Sequence, residues 1–286
     1  MQIRTIGDVK VSAIGLGEMP MSLESRPDEE RSIRTIHAAL DAGITLIDTA
    51  DAYCISLDEA GHGERLVAKA LASYGGDTSQ VLVATKGGHF RPGDGSWQVD
   101  SSPDYLRKAC DASLTALGVD AIGLYQHHRP DPKVDYADAI GTIKELYDAG
   151  KIRHAGISNA TVPQIGLAQE ILGSALVSVQ NQFAPNFRSS EPELEYCAAQ
   201  GLAFLPWSPL GGIGNAGGLG STHAAFQSVA DAHGVSPQQV ALAWELAKAP
   251  VVIPIPGASR PETILDSAQA AELTLSPEEL AQLDAA

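Results

Sequence analysis

Gly43-Ile44-Thr45-Leu46-Ile47-Asp48 is a short apolar run that ends on an ionisable group, with Tyr53 five residues on. The pattern recurs in Val81-Leu82-Val83-Ala84-Thr85-Lys86. It recurs again in Ala121-Ile122-Gly123-Leu124-Tyr125, which leads through Gln126 to His127 and His128. Brief apolar runs of this kind read as strands buried on both faces. Parallel strands bring their C-terminal ends to one face, so an acid, a phenol, an ammonium and an imidazole would meet in one pocket. A cation beside a phenol favours the phenolate and lowers a pKa that is ~10 when unperturbed. Such a group is suited to proton transfer, which points to an enzyme.

Outward from these runs the same unit repeats. Arg4 to Ala13 alternates around Gly7-Asp8 and reads as a β-hairpin, followed by a buried strand at Ile14–Gly17. Helical periodicity spans Asp28–Ala42, with Ile33, Ile36, His37 and Leu40 on one face. Strands at Ile44–Asp48, Val81–Lys86, Ala121–Gln126, Ile152–Ile157 and Leu176–Gln180 precede helices at Glu64–Tyr74, Pro103–Leu117, Tyr136–Ala149, Val162–Leu172 and Pro192–Gln200. A strand at Ala203–Pro206 leads to helices near His223–His233 and Pro237–Ala249, and one at Val251–Ile255 leads to a helix at Pro261–Ala270. Ser-Pro steps at Ser102-Pro103, Ser236-Pro237 and Ser276-Pro277 mark helix starts. Eight β-α alternations without a central crossover predict an α/β fold, a (β/α)8 TIM barrel with a short N-terminal hairpin. With no linker or low-complexity tract, residues 1–286 read as one domain.

Composition narrows the function. A formal charge of −16 disfavours a nucleic-acid partner, because phosphate binding needs a basic surface. No apolar run approaches the roughly 20 residues that span a bilayer, and because no long apolar stretch follows Met1-Gln2-Ile3-Arg4 no signal peptide is expected. Cys54, Cys110 and Cys197 are odd in number and far apart, which fits reduced thiols in a cytoplasm. Cys54 has no matched base in the sequence and reads as inert.

Asp48-Thr49-Ala50-Asp51-Ala52-Tyr53, with Lys86 and His128 on the next two strands, resembles the catalytic tetrad of the aldo-keto reductases. The resemblance runs through Gly15-Leu16-Gly17, Gly156-Ile157-Ser158-Asn159 and Gln180-Asn181-Gln182-Phe183. It continues in Trp207-Ser208-Pro209-Leu210-Gly211 and in Ile255-Pro256-Gly257-Ala258-Ser259-Arg260. It implies reduction of a small carbonyl compound by a nicotinamide cofactor lying across the barrel mouth. Tyr53 would be the general acid, Lys86 paired with Asp48 would lower its pKa, and His128 would orient the carbonyl oxygen. His128 is chosen over His127 because it stands two residues before Pro130, as in the family; His127 would pack behind the barrel wall.

The same resemblance implies that Ser158, Asn159 and Gln180 meet the nicotinamide carboxamide and that Trp207 stacks on its ring. Ser208, Leu210 and Gly211, with Gly212 as an addition, would approach the pyrophosphate. Gly17, Asp48, Gly257, Ser259, Arg260 and Asp266 complete the expected cofactor set. Several of the family's usual phosphate and adenine contacts are replaced by Gly257-Ala258, Thr263 and Asp266-Ser267. Arg260 remains, and a guanidinium suits a 2′-phosphate, so NADP(H) is expected, with NAD(H) left open. Glu18 departs from the pattern and must turn away from phosphate. Substrate choice is expected from Met19–Arg26, Cys54–His62, His89–Gln98, Arg129–Lys133 and the Gly211–Gly220 tract, which reads as a flexible loop or a lid. Met19, Met21, Phe90 and Trp97 would give an apolar mouth, whereas His89 reads as a solvated loop histidine. No metal site is expected, and oligomeric state is left open.

Two rivals deserve weighing. A metal-dependent barrel hydrolase using His89, His127, His128 and Asp48 lacks His-x-His on its first strand and leaves Tyr53 and Lys86 idle. A non-catalytic NADP-binding module would keep the fold but have no need of the intact tetrad.

Overall fold

The computed structural model describes residues 1–286. A hairpin of β1 (Ile3–Ile6) and β2 (Val9–Ser12) precedes β3 (Leu16–Gly17) and α1 (Glu29–Asp41). The chain continues through β4 (Leu46–Asp48), α2 (His62–Ser73), β5 (Leu82–Gly87), β6 (His89–Phe90), β7 (Gln98–Val99) and α3 (Pro103–Leu117). Then come β8 (Ile122–His127), α4 (Tyr136–Asp148), β9 (Ile152–Ser158), α5 (Val162–Leu172), β10 (Leu176–Gln180), α6 (Glu191–Gln200) and β11 (Ala203–Phe204). The last helices are α7 (Leu219–Thr222), α8 (Ala224–His233), α9 (Pro237–Lys248), α10 (Pro261–Gln269) and α11 (Pro277–Asp284).

The helix starts follow from their caps. Asp28, Ser102, Asp135, Ser236 and Ser276 each accept a hydrogen bond from a first-turn amide, satisfying one of the donors a helix start leaves open. The helices bury their apolar faces against the outside of the sheet, around Ile36, Leu66, Leu106, Ile143, Ile165 and Val240.

Seven strands form one parallel sheet in the order β11-β10-β9-β8-β5-β4-β3. Residues 251–257 supply the eighth stave, although no regular strand forms there. Pro254 and Pro256 have no N–H to give, so that segment offers its carbonyls instead. Gly15 N donates to Pro254 O and Gly17 N to Pro256 O, each at 2.9 Å. On the other side Ile253 N donates to Phe204 O at 2.9 Å. The ring therefore closes into the expected (β/α)8 barrel. Gly17 permits the closure, since a Cβ there would lie 2.8 Å from Ile255 O.

Inside the ring, Leu46, Leu82, Ala84, Leu124, Val177, Leu205 and Ile253 pack together. Ile6 and Val11 of the hairpin join that interior. Its apolar filling leaves the polar residues at the opposite, C-terminal ends of the strands. The glycine tract is more ordered than a free loop: Ala216–Gly218 forms a 3-10 turn, α7 follows, and the Asn215 amide donates to Gly211 O at 3.0 Å.

Candidate active site

Register sets the spacing of the polar groups. Asp48 on β4 lies level with Ala84 on β5, and Lys86, two residues further along the same face, lies level with Gln126 on β8. Lys86 Nζ then donates to Asp48 Oδ1 at 2.6 Å, to Thr49 O at 2.8 Å and to the Tyr53 hydroxyl at 3.1 Å. An ammonium has three donors, and all three are used. That is what allows a fully buried lysine, since removing an ion from water costs several kcal/mol. Asp48 Oδ2 accepts from the side-chain amides of Gln126 at 3.2 Å and Gln180 at 2.8 Å. Burial disfavours the Lys86 ammonium, but Asp48 and Tyr53 outweigh it and hold its pKa above the ordinary value.

Tyr53 departs from the sequence reading. Burial pushes its phenol above the ordinary value, and Lys86 only partly offsets that. The phenol is thus protonated at neutral pH and available as a donor. His128 stands edge-on to Tyr53, ring centroids 5.9 Å apart. Burial, with His89 and Lys86 nearby, lowers its pKa well below the usual imidazole range, so it is neutral. His127 turns the other way, with Nε2 2.8 Å from Ser101 Oγ and the ring beside Tyr136.

These groups border a cavity of ≈ 500 Å³ lined by Asp48, Tyr53 and His128 on one side and by the 207–216 segment on the other. Gly17, Ser158, Asn159, Gln180, Trp207, Ser208, Leu210, Gly212 and Gly257 also line it. Ser158 Oγ donates to Gln180 O at 2.7 Å, and the Asn159 amide donates to His128 O and Ser158 Oγ, each at 3.0 Å. Asn159 and Ser208 are two of only three non-glycine residues with positive φ, at 57° and 52°. Such strain costs energy and concentrates at functional sites. Trp207 Nε1 is buried without a partner.

Other expected residues lie elsewhere. Gly211, Ser259, Arg260 and Asp266 do not line the cavity. Arg260 Nε donates to Thr263 Oγ1 at 2.8 Å. Asp266 accepts from Ser236 Oγ at 2.7 Å and from the Gln239 amide at 2.6 Å, tying α10 to α9. Glu18 does turn away: it is buried, accepts from Ser22 and Thr49, and desolvation pushes its pKa up to about 7. Met19 and Trp97 line the mouth, but Met21 is core and Phe90 packs beside Tyr105. Cys54 is buried, with its thiol pushed up to about 11 by desolvation.

His89 corrects the sequence reading. It is a buried cavity residue, not a solvated one, because β6 pairs with β7 and sets His89 opposite Val99. Gln126 carries no charge and reads in the sequence only as part of a strand, though its position two residues before His128 puts both on one face. No cluster of three His, Cys, Asp or Glu side chains is arranged to hold a metal ion. No helix is long and apolar enough to cross a membrane.

Residues 13–286 match the family model described as the aldo/keto reductase family. The chain belongs to that family. An uncharacterized oxidoreductase of Schizosaccharomyces pombe is 36% identical over 98% of this chain and 88% of its own. The 6-dehydroglucose reductase of Novosphingobium aromaticivorans is 35% identical over 92% of this chain and 87% of its own. Among solved structures, an aldo/keto reductase from Klebsiella pneumoniae in complex with NADP and acetate superposes with a TM-score of 0.83. That protein is 26% identical, over 99% of this chain and 94% of the other. The barrel and the family are thereby shared across nearly the whole length of this aldo/keto reductase.

Proposed function

We propose that this aldo/keto reductase, acting as a single domain over residues 1–286, reduces an aldehyde or ketone to an alcohol with NADPH. The observation that carries the reading is the Lys86 ammonium, held between Asp48 and the Tyr53 hydroxyl at the edge of the cavity. When bound, NADPH supplies the hydride. Negative charge then develops on the carbonyl oxygen, and Tyr53 donates its phenolic proton there. Lys86, fixed by Asp48 and Thr49 O, stabilises the phenolate left behind. His128, being neutral, donates a hydrogen bond to the same oxygen from one ring nitrogen.

The cavity suits the cofactor. Gly17 and Gly257 bring backbone to the cavity wall, and Trp207 presents an indole with an unpaired N–H. The Ser158 hydroxyl and the NH2 groups of Asn159 and Gln180 are engaged within the protein, so Asn159 and Gln180 would meet a carboxamide through their carbonyl oxygens, and Ser208, Leu210 and Gly211 lie on the segment suited to pyrophosphate. The Arg260 guanidinium lies at the entry to α10, where it suits a 2′-phosphate. Ser259 and Gly257 precede it on the same turn, whereas the oxygens of Asp266 are already engaged.

A non-catalytic module would have no use for a buried ammonium held against a phenol, which favours catalysis. Three free buried cysteines support a cytoplasmic location. The test is NADPH oxidation over a panel of aldehydes and ketones, with Tyr53→Phe as control. A protein that binds NADPH but never oxidises it with any carbonyl would refute the reading.

A further inference from the structure

Arg129 is the single lysine or arginine on the cavity wall, and Asp48 is the single acid. Asp48 is matched by Lys86. Arg129 is matched by nothing: burial alone moves its pKa, downward, with no acidic neighbour pulling the other way. The contrast with Arg91 is plain, since that buried guanidinium pairs with Glu24. In a chain with 35 acidic and 19 basic residues, a half-buried arginine without a carboxylate is a conspicuous omission. Its desolvation has a cost that no contact in the protein repays.

The neighbours of Arg129 also have capacity to spare. His89 and His128 lie close enough that the guanidinium depresses both, and burial with Arg129 takes His89 down to about 4. Their ring centroids are 4.3 Å apart, and Nδ1 of each is buried with no partner. Each neutral imidazole can donate from one nitrogen and accept at the other. Beside them, Trp97, Val99, Met19 and Leu23 make the rest of the mouth apolar.

We propose that Arg129, assisted by His89, forms an anion-holding corner, and that the substrate is a carbonyl compound bearing a carboxylate or phosphate group. The inference rests on the carbonyl-reducing function proposed above and names its substrate class. A guanidinium fork meets two oxygens of either anion at once, which fixes orientation as well as position. With Tyr53 and His128 on the carbonyl oxygen and Arg129 on the anion, the substrate is held at two points. Binding away from the reacting carbon then aligns it for hydride transfer.

The test compares matched pairs with NADPH: 4-carboxybenzaldehyde against its methyl ester, and glyceraldehyde 3-phosphate against glyceraldehyde. In the wild type, kcat/KM should favour the anionic member of at least one pair by about tenfold or more. Which pair does so tells carboxylate from phosphate. Arg129→Met should bring that ratio to about one, and Arg129→Lys, a point charge without the fork, should leave an intermediate ratio. A wild-type ratio near one in both pairs overturns the proposal, as does an equal loss for both members in Arg129→Met. A loss of NADPH affinity in that variant also overturns it, since the arginine would then serve the cofactor. If no carbonyl is reduced, calorimetric titration of benzoate and benzamide into the NADP+-loaded protein separates the two claims. Benzoate binding that Arg129→Met abolishes keeps the corner while the reductase reading fails; equal or absent binding of both ligands removes the corner too.

Discussion

The two sides of the cavity are built differently. At the ends of β4, β5 and β8, Asp48 and Lys86 are fully engaged: Lys86 uses all three donors, and both oxygens of Asp48 are taken. On the side of residues 207–216, Trp207 Nε1 has no partner and Ser208 sits at a φ of 52°. Beyond it, Arg260 reaches only Thr263. Strand register fixes the first side before any ligand arrives. The second side has polar capacity and backbone strain that only a bound molecule would use. Chemistry should therefore reside on the strand side and cofactor choice on the loop side.

The sharpest way to break that division is Tyr53→Phe. It should lower kcat for carbonyl reduction by about 10²–10⁴-fold while NADPH affinity, read by fluorescence quenching, stays within about threefold. A comparable loss of cofactor affinity would merge the two sides. Lys86→Met should reduce turnover similarly and also destabilise the fold, by about 3–5 kcal/mol in denaturant titration, because Asp48 is left buried without its cation. An unchanged unfolding midpoint would mean that the pair is not structural.

On the loop side, Arg260→Ala should weaken NADPH by about tenfold and leave NADH nearly unchanged, with kcat preserved. Equal losses for the two cofactors would remove Arg260 from the 2′-phosphate. The smallest effect is on acid stability. His127 is buried and its pKa is taken down to about 4, chiefly by desolvation. Between the ordinary imidazole value near 6.5 and about 4, the unfolded chain holds a proton that the folded state refuses, so stability falls as pH drops through that window. His127→Gln should flatten the decline in melting temperature over that range. A parallel profile would place the acid sensitivity elsewhere.

How much of this was legible in the sequence follows the same division. Helices α3 and α5 begin and end where Pro103–Leu117 and Val162–Leu172 were expected, since caps and periodicity are local signals. Asp48, Tyr53, Lys86 and His128 could be placed on one face because strand ends are local too. His89 could not, as its burial depends on Gln98–Val99 folding back across it. Gln126 followed from period two but carried no charge to draw attention. Val251–Ile255 looked like a strand, yet Pro254 and Pro256 deny it a ladder while its carbonyls still close the ring. Asp266 was placed by resemblance, whereas its oxygens go to Ser236 and Gln239 on the neighbouring helix.

Everything that touches Asp48 gives a proton: an ammonium on one oxygen and two amides on the other. An asparagine there would match the shape but not the charge: its carbonyl could accept from Lys86, and Gln126 and Gln180 would have to turn their amides to offer oxygens to its NH2. Even with every hydrogen bond remade, the buried Lys86 cation would be left without its counter-charge. Where the partner is a buried ion, likeness of outline is no protection.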